Sequence, residues 1–198
     1  KIGSGFGTTG GTGHVRPAGN AVGYTSPSIG GLTVGVVRVN RTNADTNGTV
    51  TAVDPVTDIG ASFTSGPVTA GVSRFTTDGT GAVQVNYSGS VAMGAVKVMG
   101  GGFTETSSAG AKSKGNNVGV AFTAGQMTLM ANYGKKNDES ATNNDGKITA
   151  VGANYALSKN TSMYARYVTE KNDAPTTTAG TTAYSDRKTM LAGLQVNF

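Results

Sequence analysis

The feature that most limits what this chain can become is an alternation of apolar and polar residues, repeated in short segments along nearly its whole length. From Gln126 to Tyr133, the residues Met127, Leu129, Ala131 and Tyr133 share one parity and Gln126, Thr128 and Asn132 the other, with Met130 the exception. At the far end Met190, Ala192, Leu194, Val196 and Phe198 alternate with Thr189, Leu191, Gly193, Gln195 and Asn197, and in between Met163, Ala165 and Tyr167 oppose Tyr164, Arg166 and Val168. Successive side chains of a strand point to opposite faces, so this period describes strands with one apolar and one polar side. The same reading applies at 20–25, 32–39, 59–63, 68–72, 83–87, 96–102, 118–122 and 147–155, which makes about eleven strands. No segment keeps a helical spacing.

The connections fall into two kinds. Pro, Gly, Ser and Asn predict tight turns at 26–31, 65–67, Ser88-Gly89-Ser90, 124–125 and 157–160. Between them lie longer polar stretches at 43–54, 104–116, 135–145 and 172–186, with 77–80 a short exception. Short turns at one end and long loops at the other are the habit of outer-membrane barrels.

Composition narrows the choice further. Only 36% of the 198 residues are hydrophobic, 31 are Gly, and Trp and Cys are absent, which leaves little to pack a soluble core. Disorder does not fit a chain with 14% charged residues and regularly recurring Val, Tyr and Phe. The glycines have no three-residue period, so collagen is excluded. Without Cys there is no disulfide framework and no cysteine metal site. No apolar run reaches the roughly 18 to 20 residues of a membrane helix. The basic residues behind the net charge of +5 are scattered, so no nucleic-acid surface is expected. No leader segment is visible, and a mature or truncated start is expected. The expectation is an all-β fold, a transmembrane antiparallel β-barrel with aromatics (Tyr24, Phe63, Tyr87, Tyr133, Tyr155, Phe198) near strand ends at headgroup level. Its rival is a soluble β-rich protein whose apolar faces pack on each other.

Three stretches carry a resemblance. The run Asn20-Ala21-Val22-Gly23-Tyr24-Thr25-Ser26-Pro27-Ser28-Ile29-Gly30-Gly31-Leu32, the hairpin Tyr155-Ala156-Leu157-Ser158-Lys159-Asn160-Thr161-Ser162-Met163-Tyr164-Ala165 and the ending Gly193-Leu194-Gln195-Val196-Asn197-Phe198 resemble the general porins of Gram-negative bacteria. The likeness is to the trimeric sixteen-stranded porins of β-proteobacteria, specifically their C-terminal eleven strands. The resemblance implies one porin domain over 1–198, with 1–19 the tail of a constriction loop and 20–198 strands. It implies a homotrimer in the outer membrane, in contact with lipid and lipopolysaccharide, passing small hydrophilic solutes and ions with a mild anion preference and no cofactor. The first and last strands should run in the same direction, so closing eleven alone would pair them in parallel, against the even antiparallel counts of bacterial barrels. Further strands are therefore expected on another chain or outside this sequence.

A porin performs no reaction, so the residues of interest are those facing the lumen. Turning the apolar parity outward places Lys97, Arg166, Arg187 and Asp58 inward, together with Gln84, Asn86, Gln126, Thr128, Asn132, Tyr164 and Gln195. Arg16 lies close to where the resemblance implies a constriction arginine. Arg38 and Arg74 take the lipid-facing parity near the outer rim, placed to snorkel or to meet a neighbouring subunit. Asn43, Asp45, Asn47, Gly48 and Asp54 have the offsets of a calcium loop, but the flanks read as strands, and no metal is expected. Gly3-Ser4-Gly5-Phe6-Gly7 lacks the Lys and strand–helix context of a phosphate loop, and His14, the sole histidine, has no triad setting. A structural or adhesive barrel with a plugged lumen is the alternative function.

Overall fold

A computed structural model describes residues 21–40, 42–46, 49–139, 145–172 and 186–197, of which 42–46, 49–53 and 172 as backbone only. The strands are β1 (Ala21–Thr25), β2 (Leu32–Val39), β3 (Thr42–Thr46), β4 (Thr49–Val53), β5 (Val56–Ser65), β6 (Val68–Thr77), β7 (Val83–Met93), β8 (Val96–Thr106), β9 (Lys112–Ala124), β10 (Met127–Asp138), β11 (Gly146–Ala156), β12 (Thr161–Asn172) and β13 (Arg187–Val196). Eleven of them form one antiparallel sheet in the order β1-β2-β5-β6-β7-β8-β9-β10-β11-β12-β13, and β3 and β4 pair separately. Each strand lies beside the next in the chain, apart from the β3–β4 excursion. The edges β1 and β13 run in the same direction and are not hydrogen-bonded to each other.

Cross-strand partners share a face, so the register sorts every side chain of the sheet. One row runs Val120, Ala131, Val151, Tyr167, Met190 across β9 to β13; the next towards the turns runs Phe122, Leu129, Ala153, Ala165, Ala192. All but four of the exposed large hydrophobic side chains among the described residues lie on this one face. Ile29 and Leu157 are in turns, and Val37 and Leu191 are on the opposite face. Met130, the exception to its own segment's pattern, faces the polar side beside Gly152.

This sheet has no second layer. Among the described residues only Val39 and Val56 are buried hydrophobics, and no side chain is fully buried. A soluble β-sandwich would hide one face of each sheet in an interior about 10 Å thick. A continuous apolar face of this extent, left in water, would drive aggregation. The soluble rival therefore has no core to stand on, and lipid is the environment that covers the face.

Four expectations need correction. Ser88-Gly89-Ser90 is not a turn: β7 continues through it, paired to β6 and β8, and the chain reverses at Gly94 (φ 59°) instead. The stretch 43–54 is not an open loop but holds the β3–β4 hairpin, with Asn43 opposite Ala52 and Asp45 opposite Val50. That ladder spreads Asn43 and Asp45 along an extended strand, whereas a calcium loop wraps its ligands about one point. The connections at 107–111 and 139–145 are shorter than expected, because β8, β9 and β10 extend beyond their apolar segments. Tyr87 and Tyr133 accordingly sit within their strands rather than at the ends. The sorting survives: one end has turns at 26–31, 66–67, 94–95, 125–126 and 157–160, and the other has 40–55, 78–82, 107–111, 139–145 and 173–186.

One residue step should separate lipid from water. Val120→Arg, on the apolar face, is expected to destabilise the folded protein in vesicles by about 2–4 kcal/mol, and Ala121→Arg, on the polar face, by less than about 1 kcal/mol. Denaturant unfolding in lipid vesicles measures both.

Candidate functional site

Most of the side chains singled out by the sequence gather on the polar face of the main sheet. The register places Asp58, Gln84, Asn86, Lys97, Thr128, Asn132, Tyr164, Arg166, Arg187 and Gln195 on it together. Gln126 falls in the turn before β10. Arg16, His14, Asn47 and Phe198 lie outside the described residues. On β2 to β7 this face forms an open concavity of about 460 Å³, lined by Thr33, Asp58, Ser62, Ser73, Asn86 and Ser88 among others.

The same parity adds Glu105, Lys136, Asp138 and Glu170, which the sequence reading missed. It had ended the strands where apolar alternation ended. The alternation is required only where one face meets hydrocarbon, and these four residues lie on strand ends that continue past that zone. The signal available was the unbroken parity itself, which runs on through polar sequence such as Lys135-Lys136-Asn137-Asp138.

With these additions, the strands of the polar face carry four acids and four bases, not the basic excess expected. Their positions differ, however. Asp58, Glu105, Asp138 and Glu170 all lie near the long-connection end, as do Lys136 and Arg187. Lys97 lies one residue from the turn end of β8, and Arg166 lies midway along β12. Arg187 is directly opposite Glu170 and donates to its Oε2 from Nε and Nη2, at 2.8 Å each. Lys97 makes no hydrogen bond or ion pair with any described residue. Asp58 sits opposite Val37 and Phe75, with its Oδ1 buried and unpartnered among the described residues.

Arg166 is held flat against the wall. Its Nη1 donates to the carbonyls of Ala153 (2.7 Å) and Ala165 (2.8 Å), and its Nη2 donates to Asn154 Oδ1 (2.6 Å). All three acceptors are neutral, so the charge is positioned and not cancelled. Its guanidinium carbon is 5.6 Å from the Tyr164 ring centroid, within cation–π range. Glycines make the space: a Cβ on Gly152 would come 2.5 Å from Arg166 Cδ, and one on Gly193 would come 2.6 Å from the Tyr164 hydroxyl oxygen. Each glycine is the direct cross-strand partner of the side chain that covers it.

The two arginines of the apolar face behave differently. Arg38 is bonded to Asp78 Oδ2 and to Thr57 Oγ1, both at 2.5 Å, tying β2 to the connection after β6. Arg74 has no such partner among the described residues. Among those residues no group of three His, Cys, Asp or Glu could hold a metal ion.

Gly193→Ala is expected to cost about 1–3 kcal/mol through overpacking against Tyr164. In a Tyr164→Ala background the same change should be close to neutral, because every atom nearest the added methyl belongs to Tyr164. Unfolding of the four proteins in the cycle measures the coupling.

The fold has counterparts. A profile described as Gram-negative porin matches residues 2–175. The anion-selective porin from Comamonas acidovorans superposes with TM-score 0.65 at 19% identity, covering 89% of this chain and 57% of that one. A porin refined at 1.8 Å resolution gives 0.64 at 17% identity over 90% and 60%. A loop-deletion mutant of OmpT, an outer membrane protein of Vibrio cholerae, gives 0.63 at 12% identity over 88% and 62%. This chain thus spans less than two thirds of the length of each. A comparison with curated proteins found no match. With its strands, its sorted faces and a family profile covering most of its length, the chain belongs to the Gram-negative porins, β-barrel proteins of the outer membrane.

Proposed function

We propose that this chain forms part of the wall of a water-filled channel for passive diffusion of small hydrophilic solutes and ions, with a mild preference for anions. The observation that carries it is the sorting of the sheet: an apolar face fit only for lipid backs a face of Asn, Gln, Ser, Thr and charged side chains. In this reading β1 and β13 meet further antiparallel strands, which completes an even-numbered barrel, because both edges carry unpaired backbone groups that hydrocarbon would penalise by several kcal/mol each. A homotrimer, as the resemblance implies, is part of the proposal.

The anion preference rests on position and not on count. At the long-connection end the acids offset the bases. Away from that end the only charges on the polar face among the described residues are Lys97, beside the turn end of β8, and Arg166, midway along β12, and neither meets a carboxylate. Screening by salt makes the field of a charge fall off over roughly 8 Å at physiological ionic strength, so two such charges bias passage locally and weakly. The preference should strengthen as salt is lowered. The anion selectivity of the Comamonas acidovorans porin agrees with this direction but belongs to that protein. The alternative is an adhesive or structural barrel with a plugged lumen.

Planar-bilayer recording in a potassium chloride gradient separates these readings. The channel reading expects stepwise currents with a reversal potential displaced towards that of chloride; a persistent tight seal would favour the plugged barrel. Lys97→Gln combined with Arg166→Gln should move the reversal potential towards that of potassium. Glu170→Gln combined with Arg187→Gln should leave it in place, because that pair already neutralises itself. An unmoved potential in the first double variant would refute the role given to Lys97 and Arg166.

A further inference from the structure

The bases of the polar face are not held alike. Arg187 is tied to a carboxylate, that of Glu170. Lys97 and Lys136 have no hydrogen bond or ion pair with any described residue, so each ammonium moves on a flexible stem. Among the described residues of this face, Arg166 alone is both anchored and left charged.

The anchoring begins at a glycine. Gly152 is the cross-strand partner of Arg166, and a Cβ there would lie 2.5 Å from Arg166 Cδ and 3.0 Å from its Nη1. With no side chain in the way, Arg166 lies across β11 and reaches Asn154, the next residue of that strand on the same face. Nη2 donates to Asn154 Oδ1 at 2.6 Å, and Nη1 donates to the carbonyls of Ala153 and Ala165. A guanidinium only donates, so it holds the Asn154 amide with its oxygen towards the arginine. Two of the three anchors are main chain; Asn154 is the one that a substitution can change. A carboxylate in its place would hold Arg166 and cancel it, and an apolar side chain would leave the charge unaimed.

A guanidinium carries five N–H groups. The wall takes three, which leaves the Nε–H and one Nη2–H for a solute. The nearest carboxylate on this face of β10 to β13 is that of Glu170, four residues along β12, about 13 Å at the rise of a strand. It is already paired with Arg187.

We infer that Asn154 is a positioning residue for Arg166 and sets the channel's specificity at this level. Its neutral oxygen fixes the guanidinium at the wall without cancelling it, so a passing anion meets two free N–H groups in place. This rests on the channel reading and adds to it a contact that salt does not screen. At about 1 M salt the field of an exposed charge reaches only about 3 Å, against about 30 Å at about 0.01 M. Lys97 therefore contributes chiefly at low salt, and Arg166 at both.

The test is the chloride-to-potassium permeability ratio of the protein in planar bilayers, measured at about 0.01 M and about 1 M potassium chloride. Asn154→Leu, close in size but without an acceptor, should lower the ratio to roughly half the parent value at high salt and leave it unchanged at low salt. Arg166→Lys should do the same, because one ammonium cannot span Asn154 and both carbonyls. Asn154→Asp should lower the ratio at both salts at neutral pH, because the new carboxylate neutralises Arg166. Acidifying until that carboxyl is protonated restores a neutral acceptor, and the gap from the parent at the same pH should close. Lys136, Asp138, Tyr164, Glu170 and Arg187 share the polar face of β10 to β13 and are common to both proteins, so their titration cancels in that comparison.

An unchanged high-salt ratio in Asn154→Leu would overturn the inference; if that variant does not fold, the same result in Arg166→Lys does so. A gap for Asn154→Asp that persists in acid would overturn it as well. If Arg166→Gln lowers the ratio and Asn154→Leu does not, the positioning role alone fails. A parent that passes no current would remove the channel reading and this role with it.

Discussion

Everything in this protein depends on a continuous antiparallel ladder that leaves no backbone group of an inner strand for the solvent to satisfy. In hydrocarbon an unpaired N–H or C=O costs several kcal/mol, so a chain that crosses lipid as strands must pair each strand on both sides. The nine strands between β1 and β13 do so through uninterrupted registers. The ladder also fixes which side chains share a face, because a slip of one residue would exchange the lipid-facing and water-facing sets. The absence of a buried core is thus no defect of packing. The folded state is held by backbone pairing and by a solvent that covers the apolar side.

Much of this was legible in the sequence. Strand β2 and the start of β6 emerge where the alternation puts them, and Met130 keeps its parity against its own hydrophobicity. What escaped has a common physical origin. Apolar alternation reports the hydrocarbon zone and not the strand, so the sequence assigns the ends of β8, β9 and β10 to loops and stops short of the end of β12. The charges on those ends were then lost from the face they belong to. Ser88-Gly89-Ser90 was misread for another reason. Small residues resemble a turn, but here they are neighbours in the sheet, with Gly89 paired to Ala70 on one side and Gly100 on the other.

The corrected strand ends change the electrostatic picture more than the fold. Acids and bases balance over the polar face, and any preference for anions has to come from where the unneutralised charges sit. Arg166 is the clearest case, because its guanidinium is fixed by three neutral acceptors over a glycine that leaves room for it. Arg187, by contrast, spends its charge on Glu170. Which residues share the polar face could be read from parity alone; which of them keep an unneutralised charge needed the partners.

The central claim is that a single parity separates lipid from water along each strand, and the lack of native cysteine makes it directly measurable. Single cysteines placed in turn at positions 128 to 133 of β10, in the protein reconstituted in vesicles, would be exposed to a charged, membrane-impermeant thiol reagent. The account predicts modification at 128, 130 and 132 and protection at 129, 131 and 133. Uniform reactivity along the six positions, or protection in the opposite phase, would contradict it.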